Sequence, residues 1–343
     1  MPFLHINAGP SGPQLHKTDA ALRPALARAL AADAGPVIIM THGYKFAPGH
    51  GDDCPHEHIL SLSPRPHLRK RISWPRKLGF GAGLPGEGLG IAFGWSGRGT
   101  IWQAYHRADD ASRSLASLIE VIHDLAPGRP VHLMAHSLGA RVILSALPKL
   151  SEGSIGRVIL LCGAEYKGHA VRCLNAGAGR TAEVFNITSR ENDLFDFLLE
   201  RLIAAPVAGD RCIGAGLPDQ PGAVTLQLDH AGSLAALARA GFKLPLPAGL
   251  ICHWSSYLRP GVFDLYHALL RQPGSLPLAQ LRAALPDRTD HRWSRLWGPA
   301  IRLCRGLPRA APRMLPSLKP PARVWTDQGN TASGRMSMPG SNR

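Results

Sequence analysis

The sequence predicts an α/β fold in which a mostly parallel central sheet is flanked by helices, and three observations support this. Short β-branched apolar runs alternate along the chain with longer segments of helical periodicity, a rhythm typical of parallel sheets. A chain of 343 residues with 45% hydrophobic content can bury a substantial core. The apolar run 131–136 stops at Ser137 and continues as a helical pattern, which predicts a sharp strand-to-helix turn.

The N-terminal part predicts a helix followed by a buried strand. Residues 18–34 form an Ala-, Leu- and Arg-rich run that predicts a helix, with Thr18 or Asp19 as its N-cap. Gly35 and the following proline end this helix. The next residues, 37–40, are apolar and rich in β-branched side chains, as in a parallel strand that is covered on both faces.

The turn at Ser137 resembles a nucleophile elbow. Ala135-x-Ser137-x-Gly139 differs from the G-x-S-x-G signature only at its first small residue, and small residues are needed because the chain doubles back there. The amide of Leu138 then lies at a helix start, where it can donate to a developing oxyanion. The alternative is that Ser137 is an ordinary helix N-cap, but the strand before it and the helix after it favour the elbow.

The loop after the first buried strand predicts the other half of an oxyanion hole. Residues 41–44 read Thr-His-Gly-Tyr. Gly43 lets the backbone approach a substrate carbonyl, so the amide of Tyr44 can donate opposite Leu138.

Residues 45–90 lack periodicity and are rich in Gly, Pro, His and Arg, which we interpret as a lid or rim over the site. Potential metal ligands lie close together at His50, Asp52, Asp53, Cys54, His56 and His58, but their spacing matches no tetrahedral zinc pattern, and we predict no metal. The basic run 64–77 is interpreted as solvated surface. The G-x-G-x-x-G match at 81–86 follows no strand and contains Pro85, which excludes a dinucleotide fingerprint.

Further strands are predicted at 90–95, 158–162 and 184–188. Between them lies a long helix, whose apolar face comprises Leu115, Leu118, Ile119, Ile122 and Leu125. Ligands of such sheets bind at the carboxyl ends of the strands, so residues that directly follow strands are the candidates for chemistry.

A serine nucleophile needs a base and a group that orients the base. Asp193 follows the strand 184–188 and is the predicted acid, although it could instead be a helix N-cap. Glu165 is the second choice for the acid. Asp196 is less suitable because it lies already inside the predicted helix. Among sixteen histidines, His253 is the predicted base because it follows a short apolar run and precedes a helix, and His230 is its rival.

These segments together resemble an uncharacterised bacterial group of the α/β-hydrolase superfamily, over about 37–271. The resemblance is carried by the His-Gly-Tyr loop at 42–44, the Phe-Gly-Trp-Ser run at 93–96, the Ala-His-Ser-Leu-Gly elbow at 135–139 and the late His-Trp pair at 253–254. It implies Ser137 as nucleophile, Asp193 as acid and His253 as base. Leu138 stands where the group often has Met, and Lys45 where it often has Asn.

We therefore predict a serine esterase or lipase-like hydrolase that cleaves a carboxylic ester or thioester through an acyl-Ser137 intermediate, without a cofactor. Its substrate is expected to be a small-molecule or lipid-like ester, with no specific nucleic-acid partner. The alternative is a non-catalytic protein of the same fold that binds a polyanion or a membrane surface through a basic tail.

The domain prediction is a single hydrolase domain over 1–285, an amphipathic helix at 286–306 and a basic, Pro-rich disordered tail at 307–343. Residues 300–343 hold eight Lys or Arg residues against Asp327, in a chain of net charge +15. This tail predicts weak membrane-surface contact at most. Six scattered cysteines and no signal-like N-terminus predict a cytoplasmic protein.

Overall fold

The fold is described from a computed structural model, in which residues 2–295 are described. The strands are β1 (Phe3–Gly9), β2 (Gly12–Leu15), β3 (Val37–Thr41), β4 (Leu89–Gly94), β5 (Val131–His136), β6 (Arg157–Leu161), β7 (Glu183–Thr188) and β8 (Ala223–Gln227). They form one eight-stranded sheet in the order β2-β1-β4-β3-β5-β6-β7-β8. Only the edge pair β1–β2 is antiparallel, so the predicted, mostly parallel α/β architecture is confirmed.

Helices cover both faces of the sheet. They are α1 (Leu22–Ala32), α2 (Trp74–Lys77), α3 (Ile101–Leu125), α4 (Gly139–Ala146), α5 (Lys167–Leu174), α6 (Asp193–Leu202), α7 (Ala231–Arg239), α8 (Ser255–Leu258), α9 (Val262–Arg271) and α10 (Leu278–Ala284). Apolar residues of α1, α3, α4 and α5 pack on one face, and those of α2 and α7 to α10 pack on the other. None of the helices within 2–295 is long and apolar enough to cross a bilayer.

The central strands divide their side chains between two cores, as the alternation of side chains along a strand requires. In β3, Ile39 belongs to the core under α1 and α3, whereas Ile38 and Met40 belong to the core on the opposite face. In β5, Leu133 and Met134 are divided in the same way. Strands buried on both faces explain the continuous apolar runs of the sequence.

The N-terminal region differs from the sequence-based expectation in two respects. The hairpin β1–β2 was not predicted, although Leu4, Ile6 and Ala8 alternate with polar residues in β1; its partner β2 has only four residues, including Gly12 and Pro13. Helix α1 begins at Leu22, and its N-cap, Ala21, makes no side-chain capping bond. The hydroxyl of Thr18 instead accepts a hydrogen bond from the amide of Ala20 at 3.2 Å, a local turn that precedes the helix.

Part of the segment 45–90 belongs to the core on the second face of the sheet. Its buried apolar residues are Ile59, Leu60, Trp74, Leu78 and Phe80. Only Lys45 and Phe46, at its beginning, line the cleft described below. Parts of this segment thus pack on the sheet through large apolar side chains, whereas Lys70 lies over the ring of Trp254 beside the cleft. The interpretation of the segment as a lid or rim stays a prediction.

The chain after α10 forms bends and turns up to Arg295, without a helix in this described part of the predicted helix 286–306. Arg292 forms a bidentate ion pair with Glu200, at 2.8 and 3.0 Å. The ring of Trp293 packs against Phe197 with 6.0 Å between ring centroids. The remainder of that predicted helix and the predicted tail 307–343 lie outside the described residues.

Candidate active site

The candidate site lies at the carboxyl ends of three parallel strands. Gly43 follows β3, Ser137 follows β5, and Asn192 follows β7 after a single 3₁₀ turn. His253 reaches the same edge from the loop before α8. This edge of a parallel sheet is where ligands bind in such folds.

Ser137 has the strained backbone of a nucleophile elbow. Its φ of 55° lies in the left-handed region, which non-glycine residues seldom adopt. Three backbone hydrogen bonds hold it there: its amide donates to Leu161 at 2.9 Å, and its carbonyl accepts from Ala140 and Ala164 at 3.0 Å. The small residue at Gly139 is required because a Cβ there would overlap the carbonyl oxygen of His42.

The structure brings Ser137 and His253 into hydrogen-bond contact. Oγ of Ser137 lies 2.9 Å from Nε2 of His253. Burial lowers the pKa of His253 well below its ordinary value, and the neighbouring His136 and Lys70 add to this effect. The imidazole is therefore neutral at neutral pH, and its Nε2 can take the serine proton.

Asn192 holds the other side of the His253 ring. Its Oδ1 lies 2.6 Å from Nδ1 of His253, and its Nδ2 donates to Oδ1 of Asp196 at 2.9 Å. With its Nδ2 donating to Asp196, the amide of Asn192 turns its oxygen towards the imidazole. The proton of His253 then sits on Nδ1, which leaves Nε2 free to accept from Ser137.

Asp196 lies behind Asn192 in a closed environment. Besides the amide of Asn192, its Oδ1 accepts the Cys212 thiol at 3.3 Å. Burial raises the pKa of Asp196 to about 7. A Cβ at Gly214 would overlap this carboxyl group, so the glycine is needed for the carboxyl to fit.

Asp193, the acid predicted from the sequence, has a partner other than His253. Its Oδ2 accepts the backbone amide of Trp293 at 2.7 Å, and burial raises its pKa to about 6. Asn192 instead contacts His253. Consecutive residues at a helix start point about 100° apart, so a shift by one position moves the side chain off the imidazole.

The other sequence-based candidates also lie elsewhere. Glu165 is fully buried between the hydroxyl of Tyr105, at 2.8 Å, and the guanidinium of Arg141, at 2.6 Å. The rival base His230 caps α7, with its Nδ1 accepting from the amide of Gly232 at 3.0 Å. Both residues therefore have structural partners away from Ser137.

Two further histidines, which the sequence analysis did not assign, hold the loops of the site. His136 donates from Nε2 to the carbonyl oxygen of His253 at 2.9 Å. Nε2 of His42 accepts from the amide of Trp95 at 3.0 Å, so its Nδ1 donates to the carbonyl oxygen of Gly43 at 2.9 Å. Burial lowers the pKa of both histidines to about 4, so neither is charged at neutral pH. Position at the end of a strand, for His136, or directly after one, for His42, was their only sequence signal.

The two predicted oxyanion-hole residues lie on loops that meet at Ser137. A Cβ at Gly43 would lie 2.7 Å from Cβ of Ser137 and 3.3 Å from the amide nitrogen of Leu138. Leu138 is the N-cap of α4, where amides have no intrahelical partner. Tyr44 and Leu138 both line the cleft above the serine.

The cleft in front of Ser137 has a volume of about 820 Å³. Its walls are mostly apolar, with Ile101 and Trp102 from α3, and Phe195, Leu198 and Leu202 from α6. Within 2–295, no group of three or more His, Cys, Asp or Glu side chains is arranged to hold a metal ion.

The fold, with a strand, a strained serine and a helix in succession at the centre of a mostly parallel sheet, is α/β-hydrolase-like. No family model matches the chain, and no curated protein matches it. One similar solved structure is phospholipase PlaB from Legionella pneumophila in complex with thio-NAD, with 13% identity and a TM-score of 0.27. The match covers 47% of this chain and 40% of that chain, so it spans less than half of the phospholipase.

Proposed function

We propose that this protein is a serine hydrolase that cleaves a carboxylic ester or thioester through an acyl-Ser137 intermediate. The observation that carries the proposal is the continuous set of contacts from Ser137 through His253 to Asn192, at 2.9 and 2.6 Å. It is supported by the strained φ of Ser137, which presents the hydroxyl above the sheet as a nucleophile elbow does.

The first half-reaction transfers the acyl group to the enzyme. Oγ of Ser137 forms a bond to the carbonyl carbon while Nε2 of His253 takes its proton, and the amides of Tyr44 and Leu138 bind the oxyanion. When the bond to the leaving oxygen or sulfur breaks, His253 gives that proton to the leaving group. Asn192 keeps the imidazole in the required tautomer throughout.

The second half-reaction releases the acid. A water molecule, deprotonated by Nε2 of His253, attacks the acyl-serine carbonyl carbon, and the proton returns to Oγ of Ser137 as the ester bond breaks. Asp193 has no step in this scheme, since its carboxyl group is bound to the Trp293 amide.

Labelling with a fluorophosphonate, followed by intact mass measurement, tests the proposal. We expect wild type to gain one phosphonyl group and Ser137→Ala to gain none. Ser145→Ala is the matched control, because Oγ of Ser145 also lies 3.0 Å from a histidine, His169, but inside a helix and away from the cleft. Ser145→Ala should label as wild type does.

An unlabelled, folded wild-type protein would contradict the proposal. The result would then favour the alternative hypothesis of a non-catalytic protein whose basic tail binds a polyanion or a membrane. It predicts that polyanion binding survives Ser137→Ala and is lost when the tail is removed.

A further inference from the structure

The mouth of the cleft is formed by large apolar side chains that are exposed to solvent. Trp102 is 51% exposed, Leu198 41% and Leu202 42%. The indole nitrogen of Trp102 donates to the carbonyl oxygen of Leu202 at 2.6 Å, so the beginning of α3 and the end of α6 meet at this point. Large apolar side chains that are clustered and exposed mark contact sites more often than isolated ones do.

These side chains continue an apolar stripe that starts at the reacting centre. Phe195, Leu198, Leu199 and Leu202 follow helical spacing on α6 and line the cleft. The Phe195 ring stacks on His253, with 4.5 Å between ring centroids. An apolar stripe on a helix normally packs into a core. On α6, Leu199 is buried, but the stripe as a whole runs from Phe195, beside the imidazole, to the exposed Leu198 and Leu202.

The other side of the mouth combines apolar and basic groups. Trp254 lines the cleft, and the ammonium of Lys70 lies 2.9 Å from the centroid of its ring. The neighbours Arg69 and Arg71 are exposed, and none of these three cations forms an ion pair with an acidic residue of the described range 2–295. Just before His253, Leu250 and Ile251 are also exposed.

We propose that this mouth face docks onto an anionic lipid surface, from which the ester enters the cleft. We define the mouth face by Trp102, Leu198 and Leu202, by Lys70 over Trp254, and by the exposed chain neighbours Arg69, Arg71, Leu250 and Ile251. The reaction at Ser137 rests on the proposed function, whereas the docking itself does not.

The positive charge of the mouth face, and the continuity of the apolar stripe from this face to Ser137, favour a lipid surface as the partner that docks there. Cations that form no ion pair within 2–295, together with exposed apolar side chains, complement anionic headgroups over acyl chains. The apolar stripe leads from this face to Ser137, so a lipid that leaves the surface would keep its acyl chain in an apolar environment on the way. This location differs from the basic tail, to which the sequence alone assigned membrane contact.

The test measures co-sedimentation of the full-length Ser137→Ala variant with vesicles, so that binding is separated from turnover. Vesicles of phosphatidylcholine with phosphatidylglycerol are compared with vesicles of phosphatidylcholine alone. We expect stronger binding to the anionic vesicles and a decrease at high salt. Failure to bind either kind of vesicle would overturn the proposal.

Variants at the mouth locate the contact. In the Ser137→Ala background, Leu198→Glu and Leu202→Glu should each weaken binding about tenfold or more, because an apolar contact is lost and a repelled charge is added. Leu84→Glu is the matched control: Leu84 is 54% exposed, and its loop lies at the amino ends of β3 and β4, where Gly86 and Gly88 bind Asp33. It should bind as the parent does.

Lys70→Gln should weaken binding to anionic vesicles about fivefold and leave binding to neutral vesicles unchanged.

Equal effects of the Leu198 and Leu84 variants would place the contact elsewhere, the basic tail included, and contradict the proposal. A dimer that Leu198→Glu disrupts, without vesicle binding of the parent, would assign the face to a second copy of the chain. If the protein bound vesicles but wild type were not labelled by the fluorophosphonate, the proposed hydrolase function would be contradicted and the docking proposal would stand.

Discussion

Oδ1 of Asn192 lies 2.6 Å from Nδ1 of His253, so a neutral amide occupies the position that orients the histidine. An amide fixes the tautomer of the imidazole without placing a negative charge beside it. Above the Asp196 pKa of about 7, a negative charge lies one hydrogen bond further away, on this carboxylate, whose Oδ1 is 2.9 Å from the amide nitrogen. Orientation and charge stabilisation are thus divided between two residues, and each can be tested alone.

Asn192→Ala should lower kcat about 100-fold and leave KM nearly unchanged, because His253 loses the partner that fixes its tautomer. Asp193→Ala is the control, since Asp193 is the neighbouring residue and binds the Trp293 amide instead. Its kcat should be close to that of wild type. Steady-state kinetics on a short soluble ester measures both, and a larger loss in Asp193→Ala would favour the assignment made from the sequence.

Asp196 should give the activity a pH dependence near neutrality. Its pKa is raised to about 7, so kcat/KM should increase as pH rises through this value and the carboxyl group becomes charged. The increase due to His253 lies at lower pH, because its pKa is lowered well below the ordinary value. Asp196→Asn should lose the step near pH 7 and keep the lower one. A step near 7 in the variant would show that another group causes it.

The same carboxyl group should affect stability in the opposite sense. Between its ordinary pKa of 3.8 and about 7, the folded protein keeps Asp196 protonated while the unfolded chain ionises it. Its contribution to the free energy of unfolding is therefore lost as pH rises through this window. The melting temperature of Asp196→Asn, relative to wild type, should be higher at pH 8 than at pH 4. Melting curves at these pH values measure the difference, and an unchanged difference would contradict the raised pKa.

The sheet and the elbow were predictable because their signals are local. Strands buried on both faces appear as apolar runs, as at 37–40, and a small residue on each side of Ser137 reflects a steric need. The hairpin β1–β2 was harder to predict, because its edge strand β2 is short and contains Gly12 and Pro13, and because the pairing of β1 with β4 is long-range.

The residue that orients His253 was not predictable to within one position. Asp193 has the expected chemistry and follows the expected strand, and only the three-dimensional path of the 3₁₀ turn at Arg190–Asn192 decides which side chain faces the imidazole. The role of Asn192 follows from its contacts with His253 and Asp196, which arise only in the folded chain. Likewise, nothing local indicates that His136 and His42 bind carbonyl oxygens across loops.

Gly139→Ala should reduce both stability and activity. A Cβ there would overlap the backbone carbonyl of His42, which cannot move without displacing the loop that carries Gly43. Such overpacking costs about 1–3 kcal/mol of the free energy of unfolding. Gly249→Ala is the control, since a Cβ there would meet no atom within 4 Å. Denaturant unfolding and esterase assays compare the two variants. Similar results for both would show that the elbow can accommodate a Cβ at position 139.

The last prediction concerns where the chain can be shortened. Truncation after Gly306 should change the melting temperature little and leave hydrolysis of a short soluble ester intact, because the composition beyond it gives little apolar surface to bury.

Truncation after Arg288 should be much more damaging. It removes Arg292, whose bidentate pair with Glu200 is largely buried, and leaves that carboxylate with fewer partners. Breaking a buried pair in this way costs about 3–5 kcal/mol. It also removes Trp293, which contacts Phe197 on the same helix that carries Asp196. Arg292→Ala in the full chain isolates the ion pair. If the truncation after Gly306 lowered the melting temperature as much as the one after Arg288, the residues from 307 onward would contribute to the packing of the domain.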